Sequence, residues 1–301
     1  MTSTRTRGYA MVAVAYAIMG SIGAIVTWAP GPSSMLVVLR MGIGALVLAV
    51  LFFRAPMWRE LRRPSLVRPL LLMGVLDALT LLLFFVSART TGVAIAMFLV
   101  FLSPLWVALL APAVLRQPTD RVVWPGFGIA MAGLALIVVP PAMGEALDLS
   151  AWGIAAGLVS GLCLAGFMLV VSALRRRGLR SATIVIAEGF LDALILVPLA
   201  VWQTWVAGPG LTTTDLAAGL LLGTVCTAFT YMLWTEGVGM IPVQHVPILG
   251  YLEPMTAPLY AFVFVGEVPN VWTIAGGLLI VAAGALVVLR GTSPEALEGT
   301  A

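Results

Sequence analysis

Ten long apolar runs follow one another along this chain, at roughly 8–28, 33–53, 69–87, 91–115, 122–139, 152–173, 181–203, 216–235, 243–265 and 271–289. Each is close to the roughly 20 residues an α-helix needs to cross a hydrocarbon core. The runs are continuous rather than alternating, which disfavours membrane strands. The breaks between them carry turn chemistry, as at Pro30-Gly31-Pro32, Pro140-Pro141, Gly208-Pro209-Gly210 and Val268-Pro269-Asn270. Hydrophobic residues make up 61% of the 301 and charged residues only 10%. A soluble domain is about half apolar and about a quarter charged, so the composition excludes a cytosolic enzyme. The chain is expected to be an all-α integral membrane protein of ten helices. No soluble domain is left over, and the residues from Gly291 onward are expected to form a disordered tail. The first run is longer than a signal-peptide core and is expected to remain as a helix.

Arginine placement gives the expected orientation. There is no lysine, and fourteen of the sixteen arginines fall before run 1, after run 10, or between runs 2 and 3, 4 and 5, or 6 and 7. Arg89 alone lies on the other side, and Arg40 sits inside the second run. Both termini are therefore expected in the cytoplasm. The net charge of +3 is too small and too scattered for a nucleic-acid binder. Cys163 and Cys226 are too few for a disulfide framework.

The chain also matches itself. At a shift of 150, Val75, Ala78, Thr80 and Leu83 meet Val225, Ala228, Thr230 and Leu233, and Leu99, Leu102 and Pro104 meet Leu249, Leu252 and Pro254. Gly126 likewise meets Gly276. Aligned proline and glycine in one register are not a by-product of apolar composition. Residues 1–141 and 142–290 are thus expected to be two five-helix repeats, with 291–301 as the tail. Five is an odd number, so the second repeat is inverted relative to the first. Inverted repeats suit alternating access, which favours a transporter over a passive scaffold.

The segments that carry this match also resemble a known family. The stretches at 84–115, 231–254 and 252–284 are similar to EamA domains of the drug/metabolite transporter superfamily. The most specific piece is Leu252-Glu253-Pro254, with Gly266-Glu267 thirteen residues later. The first half departs from it: Ser103 stands where Glu253 stands, and Gln117 where Glu267 stands. The resemblance implies export of amino acids and related metabolites, with the aromatic amino-acid exporters of the family the nearest type.

Charges inside spans are expensive and mark candidate sites. Arg40 is expected about 10 Å deep and Asp192 about 16 Å deep from the opposite side. They are therefore expected to pair, with Glu188 one turn from Asp192. Such a pair is either a staple between two helices or a cavity charge that meets substrate. Asp77, mid-run, has no local partner and is a candidate for a substrate ammonium or a coupling proton, or else hydrogen-bonds a neighbouring hydroxyl. Glu253 is a candidate proton carrier, or else caps amides freed by Pro254. His245, the only histidine, is either a pH sensor or an interfacial hydrogen-bonding residue. Glu236 and Glu267 are expected at helix ends. Tyr16, Trp28, Phe85, Phe101, Trp106, Trp234 and Tyr251 are candidate cavity aromatics, with ordinary packing the alternative for each. Pro104, Pro254 and Pro258 are candidate gates or kinks. Gly153, Gly157 and Gly161 are expected to let a neighbouring helix approach.

No Walker loop, H-E-x-x-H or G-x-S-x-G occurs, which argues against an enzyme and an ATP-driven pump. No cofactor or metal is expected. The expected partners are a small-molecule substrate and the bilayer of the cell (inner) membrane. A channel or structural membrane protein is the alternative, and a membrane-embedded enzyme a more distant one.

Overall fold

A computed structural model describes residues 3–52, 59–142, 150–206, 208, 210–266 and 268–292. Arg54, Glu267 and the tail beyond Thr292 lie outside the described residues. Among the described residues, ten helical spans are long and apolar enough to cross a membrane. We name them α1 (Thr4–Val26), α2 (Ser33–Leu51), α3 (Pro64–Thr91), α4 (Val93–Leu115), α5 (Val123–Pro140), α6 (Ala151–Arg176), α7 (Ser181–Val206), α8 (Thr213–Val238), α9 (Val243–Val265) and α10 (Val271–Arg290). No strand occurs among the described residues. Helices satisfy every backbone group internally, as a segment in hydrocarbon must.

The spans follow the ten apolar runs and often overrun them. α3 is the longest, at 28 residues. Pro64 begins it in the first turn, where its missing N–H costs nothing, and Gly92, at φ 84°, ends it. That left-handed backbone suits glycine, and α4 starts at the next residue.

Among the described residues three spans are broken, and α7 ends in a π-helical turn at Trp202–Val206. α1 breaks at Gly20. α4 breaks at Phe101–Leu102, between helices Val93–Val100 and Ser103–Leu115. α9 breaks at Gly250–Tyr251, before helix Leu252–Val265. α8 widens into π-helical turns over Leu222–Phe229. Pro104 and Pro254 both sit in the first turn after a break, where a proline is tolerated. Pro258 lies within the continuous helix Leu252–Val265 rather than at a break.

α3 packs on α6, α1 on α8, α2 on α7 and α5 on α10. The closest approaches use glycine. A Cβ on Gly161 of α6 would lie 2.9 Å from the Leu99 carbonyl of α4, and one on Gly133 of α5 would lie 2.6 Å from the Gly276 carbonyl of α10. The main core joins Tyr9, Tyr16, Val107, Phe167, Leu169, Trp234 and Ile248 across α1, α4, α6, α8 and α9. Leu46, Val50, Leu194, Val263, Leu278 and Leu289 face outward, as lipid-facing residues must.

Candidate functional site

The breaks in α4 and α9 meet at the centre of the bundle. The Tyr251 hydroxyl donates to the Phe101 carbonyl at 2.6 Å, and the two rings lie 5.3 Å apart. Beside this junction is a cavity of about 130 Å³. Tyr16 and Met19 come from α1, Asp77 from α3, Phe101 and Ser103 from α4, and Phe167 from α6. Tyr231 and Trp234 come from α8, and Gly250 and Glu253 from α9. Ser103 and Glu253 stand at matching places of the two halves and line the same space. A Cβ on Gly250 would sit 3.2 Å from the Tyr16 ring, so glycine there lets the tyrosine reach the cavity wall.

The lining is apolar with a few polar groups, the usual chemistry of a small-molecule site. Trp234 stacks on Phe167 at 5.7 Å. Its indole N–H and the Tyr16 hydroxyl are buried side by side, and neither has a well-formed hydrogen-bond partner among the described residues. Asp77 and the half-buried Glu253 bring two carboxyl groups. The space thus offers N–H and O–H donors together with carboxylate oxygens.

Asp77, Tyr16, Phe101, Trp234 and Glu253 are brought together as the sequence suggested. The other four aromatics are placed elsewhere, Trp28 being exposed with its ring edge-on to Phe264 at 5.8 Å. Phe85 lines a separate cleft of about 470 Å³ with Arg89 and Gln203. Tyr251 is wholly buried and spends its hydroxyl on Phe101. Trp106 packs against the main core. Tyr231, Phe167 and Ser103 were not among the candidates. Tyr231 had a signal: it lies three residues before Trp234, on the same helical face.

The expected Arg40–Asp192 ion pair is not formed. Arg40 donates to the Tyr231 hydroxyl at 3.0 Å and stands 5.9 Å from its ring centre. Asp192 instead meets two other acids: one carboxylate oxygen each from Asp77, Glu188 and Asp192 lie within 4.8 Å of one another. Depth along the membrane normal placed Arg40 and Asp192 at one level, but the rotation of each helix decides who meets whom.

At the arginine-rich end a buried network ties four segments together. His245 Nε2 contacts Asp120 Oδ2 at 3.1 Å, and Nδ1 contacts the Tyr9 hydroxyl at 2.6 Å. A carboxylate only accepts, so Nε2 carries the ring proton and Tyr9 donates to Nδ1. Arg5 donates to the Tyr9 hydroxyl at 3.2 Å and to the Gly291 carbonyl, and the Thr292 amide donates to Asp120. Burial alone would raise the Asp120 carboxyl. The hydrogen bonds from His245 and from the Thr292 and Val122 amides outweigh it, and hold Asp120 well below the usual carboxylate range. His245 is thus a buried link rather than an interfacial residue. Gln244 adds to the lock by accepting from the Asp120 amide at 2.8 Å. Glu236 pairs with Arg175 at 2.7 Å at the same end. A cleft of about 280 Å³ lies beside Glu236, past Phe52, Arg180 and Thr183, and the opposite end has larger ones. One of about 430 Å³ runs past Thr27, Pro254, Pro258 and Asn270. The Phe85 cleft is the other.

Known proteins agree with this architecture. The chain is 29% identical to the threonine/homoserine exporter RhtA of Escherichia coli (strain K12), over 88% of this chain and 84% of that one. It is 29% identical to the pseudopaline exporter CntI of Pseudomonas aeruginosa (strain UCBPP-PA14), over 84% of each. It is 28% identical to the uncharacterized transporter YwfM of Bacillus subtilis (strain 168), over 92% of each. A solved crystal structure superposes with a TM-score of 0.77 at 18% identity, over 94% of this chain and 98% of that one, and so shares the fold. The EamA-like transporter family matches twice, over residues 6–139 and 151–289, and the chain belongs to that family as a multi-pass membrane transporter rather than an enzyme.

Proposed function

We propose that this protein exports small zwitterionic metabolites, amino acids first among them, by alternating access. The observation that carries this reading is the central cavity, whose lining Asp77 and Glu253 share with the Tyr16 hydroxyl and the Trp234 N–H, neither of which has a well-formed partner among the described residues. A carboxylate suits a substrate ammonium and the two donors suit a substrate carboxylate. The aromatic wall of Phe101, Phe167 and Trp234 favours solutes with an apolar part. The names of RhtA and CntI, both exporters, support the direction.

Two inverted five-helix repeats would move about this cavity. The double family match, the shared register of Ser103 with Glu253, and the matching breaks in α4 and α9 support that arrangement. The network at Asp120 and His245 closes the arginine-rich end, which we place in the cytoplasm with both termini. The clefts at the other end belong to a state that faces outward. Binding of labelled amino acids to the purified protein tests the site. Asp77→Asn is expected to weaken binding with the fold intact. Equal binding by wild type and Asp77→Asn would contradict the assignment.

A further inference from the structure

α7 carries Glu188 and Asp192 one turn apart, and α3 carries Asp77 opposite them. All three are buried, and their nearest carboxylate oxygens lie within 4.8 Å of one another. Like charges this close in apolar surroundings cannot all persist without compensation. Crowding alone does not make a site. The second observation is that both oxygens of Glu188 and both of Asp192 are shut off from solvent and receive no hydrogen bond from any N–H or O–H among the described residues. Buried polar atoms are almost always satisfied, and four bare oxygens in one place point to an occupant that the protein itself does not supply.

The charges around the cluster say what that occupant is. Arg40 on α2 and Tyr231 on α8 face it, and Glu253 on α9 is felt by the same arginine. Arg40 brings one positive charge against three carboxylates, and its Nη2 is already engaged with Tyr231. The occupant is therefore cationic. One carboxylate oxygen of Asp77 and one of Asp192 lie within 4.8 Å of each other. Two carboxyl groups can share a proton as donor and acceptor, whereas Mg2+ or Ca2+ calls for about six or more oxygen ligands and the cluster brings three carboxyl groups.

We propose that Asp77, Glu188 and Asp192 form a proton site that couples transport, with one proton held between Asp77 and Asp192 in this conformation. Asp77 is the only member of the three that also lines the central cavity. Substrate bound there and the shared proton therefore draw on one carboxyl group. A proton from water binds an Asp77 or Asp192 oxygen in the outward-facing state. It returns to water on the cytoplasmic side when substrate takes its place at Asp77. One O–H bond forms and the same bond breaks, and the exchange is one proton inward for one substrate outward. This coupling rests on the exporter reading; the proton site does not.

Two measurements on the full-length protein separate the two. The first is infrared difference spectroscopy of purified protein between acid and alkaline pH, which reads the C=O stretch of protonated carboxyl groups. We expect a reversible band in the wild type that is insensitive to sodium and is lost in Asp192→Asn. Absence of the band, or its loss on adding sodium at constant pH, overturns the proton site. The second is uptake of labelled L-threonine by proteoliposomes under an imposed pH gradient. The gradient should drive accumulation in the wild type, and Asp192→Asn should lose the drive while keeping counterflow exchange. Glu188→Gln serves if Asp192→Asn does not elute as a folded species. Counterflow that persists in the wild type without any response to the gradient overturns the coupling. Absence of counterflow together with a clear band removes the exporter reading and leaves the proton site standing.

Discussion

The Tyr251 hydroxyl donates to the Phe101 carbonyl across 150 residues of chain, the same distance that separates matching positions of the two halves. The bond thus joins equivalent breaks, and it satisfies a carbonyl that the interrupted α4 would otherwise leave bare. Tyr251→Phe removes the donor and leaves that partly buried carbonyl unpaired, a cost of about 1 kcal/mol. The expected outcome is a lower melting temperature in detergent with the protein still monodisperse. An unchanged melting temperature would remove the junction from the account.

The α5–α10 contact depends on glycine. A Cβ on Gly133 would meet the Gly276 carbonyl at 2.6 Å, whereas one on Gly128 would meet nothing within 4 Å. Gly133→Ala is expected to destabilise by about 1–3 kcal/mol through overpacking. Gly128→Ala is expected to be neutral or slightly stabilising, since alanine favours helix. Thermal unfolding of the two variants side by side checks the contrast.

The lock at the arginine-rich end has a pH signature. Asp120 is held below its ordinary range, so its contribution to folding is present at neutral pH and is lost as the solution falls into strong acid. Asp120→Asn removes the charge that faces His245 and should cost about 1–3 kcal/mol at neutral pH. The stability difference between wild type and Asp120→Asn should shrink on acidification. A difference that grows toward acid contradicts the assignment. The same variant loosens the contact of α9 with the α4–α5 connection. A cysteine placed at Gln244 in a cysteine-free background should therefore label faster from the cytoplasmic side.

Trp234 supplies an indole N–H with no well-formed acceptor among the described residues. Trp234→Phe keeps an aromatic ring against Phe167 but deletes that donor. The expected result is a raised KM for exchange with little change in melting temperature. A large stability loss with unchanged KM would make the residue a packing element.

The spans were legible in the sequence because each is a local property of about 20 residues in hydrocarbon. Helix 3 outran its apolar run because Pro64 and Gly92, rather than hydropathy, set its ends. Asp77 was legible as a charge without a local partner, and the structure supplies its surroundings in Glu188 and Asp192. The Arg40–Asp192 pair failed because spacing along a helix gives depth but not the direction each helix presents to its neighbours. Phe85 failed for a related reason. It lies eight residues beyond Asp77, about 12 Å along the axis, and so reaches a different cleft. Tyr231 was legible only through its place one turn before Trp234, and its bond to Arg40 needed the structure.

The most direct test of the transporter account is counterflow in proteoliposomes that hold purified protein and unlabelled L-threonine, with labelled L-threonine outside. The account predicts transient accumulation of label that saturates with concentration and falls sharply in Asp77→Asn. Folded wild-type protein that gives no accumulation with any amino acid, or a flux that rises without saturation, would contradict it.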